Sequence, residues 1–236
     1  MKSLFASLVA TLVVAAQLVA APSKERAALE ALNDFIGSWK GDGGPSGKKN
    51  PAPNEIWKEA ISWGWKFGKE DKDVALSITF KDGKYFKTGE MRYLADKKKY
   101  QLTVKDADDK ELVFLGELDK DNNLVLERKD DEKKVTQQLT MSSAAQGDRF
   151  LYSTKVKKEG STIFTKDYEV NSTRDGVSLG PKEKVKECIV SGGGRGTIAV
   201  TYKGETYYVC CTGCKDAFNE NPEKYIKEFK ARKKEQ

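Results

Sequence analysis

Four cysteines, Cys188, Cys210, Cys211 and Cys214, all fall in the last fifty residues of a 236-residue chain that contains no histidine. Thiolate sulfur is the donor that soft cations such as zinc and copper(I) prefer. Cys210 and Cys214 are four apart at what reads as a strand-to-helix junction. Both sulfurs can therefore face one point near a helix N-terminus, where the macrodipole lowers thiol pKa. Cys188 starts a separate turn, and three convergent sulfurs make a trigonal site or a tetrahedral one with an open position. Cys211 either points away into the core or replaces Cys210 through the Cys211-Thr212-Gly213-Cys214 spacing, so all four are candidate ligands. The same residues could instead form two disulfides, in three possible pairings, in an oxidising compartment. They could also work as an attacking and resolving pair, Cys211 and Cys214, although the βαβ surroundings expected of such a pair are missing. The lack of histidine excludes Ser-His-Asp and Cys-His catalysis, His-ligated haem and every imidazole zinc site.

The elements that must position these sulfurs are short. Residues 181–236 are too few for a large core, and units of that size often rely on a metal or disulfide. After Cys188 comes a glycine-rich turn at Gly192, Gly193, Gly194 and Gly196, followed by a strand from Thr197 to Tyr202. A turn at Lys203-Gly204-Glu205 leads into a second strand from Thr206 to Val209. A helix over about 212–219 and another over about 223–233, opened by Pro222, complete the unit. Tyr207, Tyr208, Phe218 and Tyr225 supply a miniature core.

The run from Cys188-Ile189-Val190-Ser191 through Val200 to Cys214, and on to Phe218 and Tyr225, resembles the YHS and TRASH families of small metal-binding domains. Cys188, Cys210 and Cys214, with 21 and 3 residues between them, fit the TRASH spacing. The resemblance implies cysteines that bind or sense a heavy-metal ion, copper or zinc, as in copper-handling proteins and domains appended to metal transporters. Related treble-clef-like knuckles carry a second cysteine where this chain has Ser191. That departure removes one possible fourth ligand.

From Gly37 to about residue 178 the pattern changes to short alternating apolar and polar runs separated by charged turns, the mark of a strand meander. Ten strands are expected, near 38–42, 55–66, 73–80, 84–94, 99–105, 111–118, 123–128, 133–141, 149–157 and 161–170, preceded by a short helix from Ser23 to Phe35. Trp57, Ile61, Trp63, Trp65 and Phe67 share one parity and so one sheet face, with Glu59 among them as a possible lumen carboxylate. An up-and-down series of this length removes its edges by closing into a barrel, with a sandwich as the competing architecture. Phe35-Ile36-Gly37-Ser38-Trp39-Lys40-Gly41 resembles the first strand of lipocalin-like and nitrobindin-like barrels, in which the tryptophan plugs one end. The resemblance gives that segment a structural role and assigns no ligand. The expected fold is mainly β: an antiparallel lipocalin-like barrel of about ten strands, read as holding a small apolar ligand or serving as a packed spacer, followed by a small α+β cysteine-rich domain. The haem ligand of nitrobindin-like barrels is a histidine and does not carry over.

The first twenty residues carry one lysine, an apolar run from Leu4 to Ala16 and a cleavage pattern at Leu18 and Ala20, the pattern of a secretory signal peptide. The expected organisation is a signal peptide at 1–20, a barrel domain at 21–180 and a metal-binding domain at 181–236, exported to a periplasm or the cell exterior. The chain carries a net charge of +6, and residues 181–236 hold twelve basic against eight acidic residues. These alternate along the last helix and suit its C-terminus rather than nucleic acid. No membrane span is expected in the mature chain. The expected partners are a heavy-metal ion, a protein that exchanges it and a small apolar ligand in the barrel. No catalytic constellation stands out, so binding rather than turnover is the expectation.

Overall fold

The computed structural model describes residues 23–68, 73–177 and 185–234. The leader expected at 1–20 lies outside these residues, and so does the expected domain boundary at 180/181. Ten antiparallel strands form a closed barrel: β1 (Gly37–Pro45), β2 (Trp57–Phe67), β3 (Val74–Lys81), β4 (Phe86–Leu94), β5 (Lys99–Asp106), β6 (Glu111–Leu118), β7 (Leu124–Asp130), β8 (Val135–Ala144), β9 (Arg149–Lys158) and β10 (Thr165–Arg174). Each strand pairs with its sequence neighbour. β10 returns to β1 with Trp39 opposite Arg174 and Gly43 opposite Val170, which removes both free edges. Every expected strand is present. The largest shift is in β10, expected to begin at residue 161, because Gly160 adopts φ +78° and the chain turns once more, Ser161 N–H to the Lys158 carbonyl, before pairing.

Turn chemistry sets the hairpins. Asp106 Oδ1 accepts from the backbone of Asp108 and Lys110, and Asp119 Oδ1 accepts from Asp121 and Asn123, all at 2.9 Å. Asp109 and Asn122 occupy the left-handed region at those tips. Inward positions of β2 alternate as the parity required, with Glu59, Ile61, Trp63 and Trp65 all buried. Rings from opposite walls meet inside the barrel: Phe150 of β9 lies 5.8 Å from Trp63 and 5.5 Å from Trp39, and Tyr152 lies 6.1 Å from Phe80 of β3.

One barrel end is stoppered by the segment that precedes it. Ser23 caps α1 (Lys24–Glu30) by accepting from Arg26 N–H at 3.2 Å. The helix is shorter than the expected 23–35: it stops at Glu30, and Asn33–Phe35 form a separate 3-10 turn. Trp39 Nε1 donates to the Phe35 carbonyl at 2.8 Å, and the Arg174 guanidinium covers the Trp39 ring at 4.1 Å while donating to the carbonyls of Asp34, Ile36 and Gly147. A Cβ on Gly37 would strike that guanidinium, and its φ of +130° suits glycine alone.

The C-terminal unit consists of a two-stranded sheet, β11 (Ile198–Tyr202) and β12 (Glu205–Val209), followed by α2 (Thr212–Glu220) and α3 (Pro222–Lys234). It packs on the stoppered end of the barrel, and the two share one hydrophobic core. Among the described residues, no helix is long and apolar enough to cross a membrane.

Candidate metal centre

Cys188, Cys210 and Cys214 come together, each sulfur within 4.8 Å of the other two and all three residues buried. The local sequence explains the convergence. β12 ends at Val209, so Cys210 and Cys211 lie in the crossing to α2, and Cys211 is the N-cap residue with extended backbone (φ −156°, ψ 172°). Cys214 is the third residue of α2, one turn on, so its sulfur returns towards Cys210, 3.6 Å away. Cys188 is carried in by a turn stitched to the sheet: Ile189 N–H donates to the Tyr208 carbonyl at 2.9 Å, and Gly192 N–H closes back on the Cys188 carbonyl at 3.0 Å. Ser191 N–H points at Cys188 Sγ at 3.4 Å.

Cys211 stands apart from this triad. Its sulfur lies 4.0 Å from Cys210 Sγ but outside the group in which all sulfurs are mutually within 4.8 Å. It faces the barrel, where Trp65 N–H donates to it at 3.3 Å. All four cysteines are free thiols, so none of the three disulfide pairings is formed.

The sulfurs divide by role. Hydrogen bonds from Cys210 and then Cys214 pull the Cys188 thiol well below the ordinary range, and Cys210, Cys214 and the Trp65 N–H do the same for Cys211. Burial pushes the Cys214 thiol up, so it acts as a donor within the cluster. The N-terminus of α2 adds its positive dipole end beside the anionic sulfurs.

The donor set suits a soft cation. An ion with sulfur ligands at about 2.3 Å has neighbouring sulfurs roughly 3.8–4.0 Å apart in tetrahedral or trigonal geometry. The Cys210 and Cys214 sulfurs lie 3.6 Å apart and Cys188 Sγ lies within 4.8 Å of both, close to that spacing, so closing on an ion needs little movement. Cys188, Cys210 and Cys214 would hold it, with thiolate chemistry and no imidazole.

The barrel forms one wall of the centre. Asn33 donates to the Ser191 carbonyl at 3.3 Å and accepts from Trp65 Nε1 at 3.1 Å, and Arg26 of α1 donates to the Val190 carbonyl at 2.6 Å. Arg195 pairs with Asp148 at 2.7 Å. Sequence reasoning picked out neither Arg26, Asn33 nor Trp65 as part of the site. Their types carry no metal chemistry, so nothing in their pattern marked them.

A comparison with curated proteins finds no match. A protein-family model does match: residues 197–228, from β11 through Cys210, Cys211 and Cys214 into α3, fit the YHS domain, so the C-terminal unit carries a YHS domain to which Cys188 is delivered from outside the matched span.

Proposed function

We propose that this protein is an exported binder of a soft heavy-metal ion, copper or zinc, which Cys188, Cys210 and Cys214 capture as thiolates for sequestration, delivery or sensing. One observation carries the reading. Sulfurs with 21 residues between them in sequence converge within 4.8 Å, buried, at a YHS domain. The ion is cargo, and the chemistry is ligand exchange without turnover. The leader-like first twenty residues support export. Cys211 lies against Cys210 but outside the triad, which supports a role as an exchange ligand while an ion passes to a partner protein.

The competing thiol-exchange reading needs an exposed attacking sulfur. Cys211 is 9% exposed and Cys214 0%, which disfavours it. A carrier of a small apolar ligand would need lumen space, and the inward faces of the barrel strands are occupied by Trp39, Trp63, Phe114, Phe150 and Tyr152.

Metal analysis of protein purified under reducing conditions tests the proposal. The expected result is one ion per chain, lost in Cys188→Ser and in Cys214→Ser. Metal-free wild type with a redox-active disulfide would reverse the assignment.

A further inference from the structure

Ser191 is built into the sulfur cluster. Its side chain is 1% exposed and its hydroxyl lies 3.6 Å from Cys210 Sγ, within hydrogen-bonding reach of a sulfur. The residue is held at both backbone ends: its N–H points at Cys188 Sγ, and its carbonyl accepts from Asn33. Gly194 presses from behind, since a Cβ there would sit 3.0 Å from both Ser191 Oγ and Cys210 Sγ. The hydroxyl is thus fixed against Cys210, at about the spacing expected between neighbouring ligands of one ion.

A serine hydroxyl is neutral at physiological pH and donates one proton. Next to Cys210 it gives the sulfur a hydrogen-bond partner without adding charge, and it is a poor ligand compared with sulfur. Zinc in closed protein sites takes four ligands, usually completed by sulfur or imidazole. Soft thiolate sets without that fourth ligand suit copper(I). Resting on the metal-binding reading above, we propose that Ser191 sets the selectivity of the centre: its hydroxyl fills the fourth position with a hydrogen-bond donor, keeps the site at three sulfurs and favours a monovalent soft cation over zinc.

The test titrates wild type, Ser191→Cys and Ser191→Ala anaerobically with zinc and with copper(I) against competing chelators, using cobalt(II) absorption to report sulfur ligation. Ser191→Cys should raise zinc affinity by about tenfold or more, with copper(I) affinity changed by less than about threefold, and should strengthen the cobalt charge-transfer band. Ser191→Ala loses the donor and opens the position to water, so the zinc-to-copper(I) preference should move towards zinc by about fivefold. An unchanged preference in Ser191→Ala overturns the proposal, even where Ser191→Cys fails to fold. Wild type that binds metal through Cys214 but keeps its selectivity in both variants overturns the role of Ser191 alone. Wild type that binds neither ion overturns the metal-binding reading itself.

Discussion

The backbone N–H of Trp65, in the second barrel strand, donates to the sulfur of Cys211 at 3.3 Å, so one amide of the barrel serves a cysteine of the YHS domain. Edge-free strands spend their amides on neighbouring strands, and an amide directed at sulfur marks where the barrel wall gives way to the docked unit. The bond also separates Cys211 from its neighbours, since its low thiol pKa is sustained partly from the barrel side. Cys211→Ala should therefore leave one ion per chain, whereas replacement of Cys188, Cys210 or Cys214 abolishes binding. Hydrogen exchange at the Trp65 amide should quicken in Cys211→Ala by about tenfold, the loss expected for one hydrogen bond. Loss of metal in Cys211→Ala would make it a ligand.

Gly213 is the residue on which the first turn of α2 rests against β2. A Cβ there would lie 1.7 Å from the Trp65 carbonyl oxygen, a backbone atom that cannot swing aside. Gly213→Ala must lift α2 from the barrel and move Cys214 with it. The expected cost is about 1–3 kcal/mol or more in chemical denaturation, the range for overpacking. Metal affinity should fall although no ligand has been touched. A stability equal to wild type would show that α2 docks differently from the arrangement described.

Period and turn chemistry carried most of this architecture, and the reason is local. The Trp57-to-Phe67 alternation fixes one inward face, and Asp106 and Asp119 close their own turns, so ten strands could be read without knowing their partners. The cysteine spacing carried the centre for the same reason, with Cys210 and Cys214 only four residues apart across the strand-to-helix junction. The docking of the two units was not legible. Arg26 reaches the Val190 carbonyl across 164 residues, and Asn33 reaches Ser191 across 158, contacts that no period encodes. The early end of α1 belongs to the same class: Asn33 leaves the helix and links Trp65 to Ser191, a tertiary demand that overrode the helical spacing of Leu29, Leu32 and Ile36.

Arg26 tests that docking without touching a sulfur. It is buried in α1, bonded to the Val190 carbonyl at 2.6 Å and lying 3.8 Å from Glu228 of α3. Arg26→Met keeps the length and apolar stem but strands the Val190 carbonyl, which should cost about 1–3 kcal/mol. The loss should fall on the YHS domain first. Limited proteolysis should then release residues beyond the barrel while the barrel's aromatic circular dichroism persists. Simultaneous loss of both signals would mean that the units unfold as one.

Glu59, at the barrel end away from the metal centre, gives the molecule a pH dependence of its own. It is 4% exposed, accepts from Tyr152 O–H at 2.7 Å and Trp57 Nε1 at 2.8 Å, and receives the Lys84 backbone N–H as well. Burial nevertheless outweighs these bonds and raises its pKa above the usual 4.5. A carboxyl whose folded pKa lies above its unfolded one favours the native state when protonated, so its contribution is full below the unfolded pKa and is lost as pH rises through the folded value. Glu59→Gln keeps an acceptor for Tyr152 and abolishes the titration. In urea denaturation, the stability of Glu59→Gln relative to wild type should therefore grow as pH is raised from about 4 to 7. Glu59→Ala should instead be destabilised at every pH by about 2–4 kcal/mol, because Tyr152 and Trp57 lose a buried acceptor. A wild-type-minus-Gln difference that is flat with pH would show that Tyr152, Trp57 and Lys84 fully offset the burial of the carboxylate.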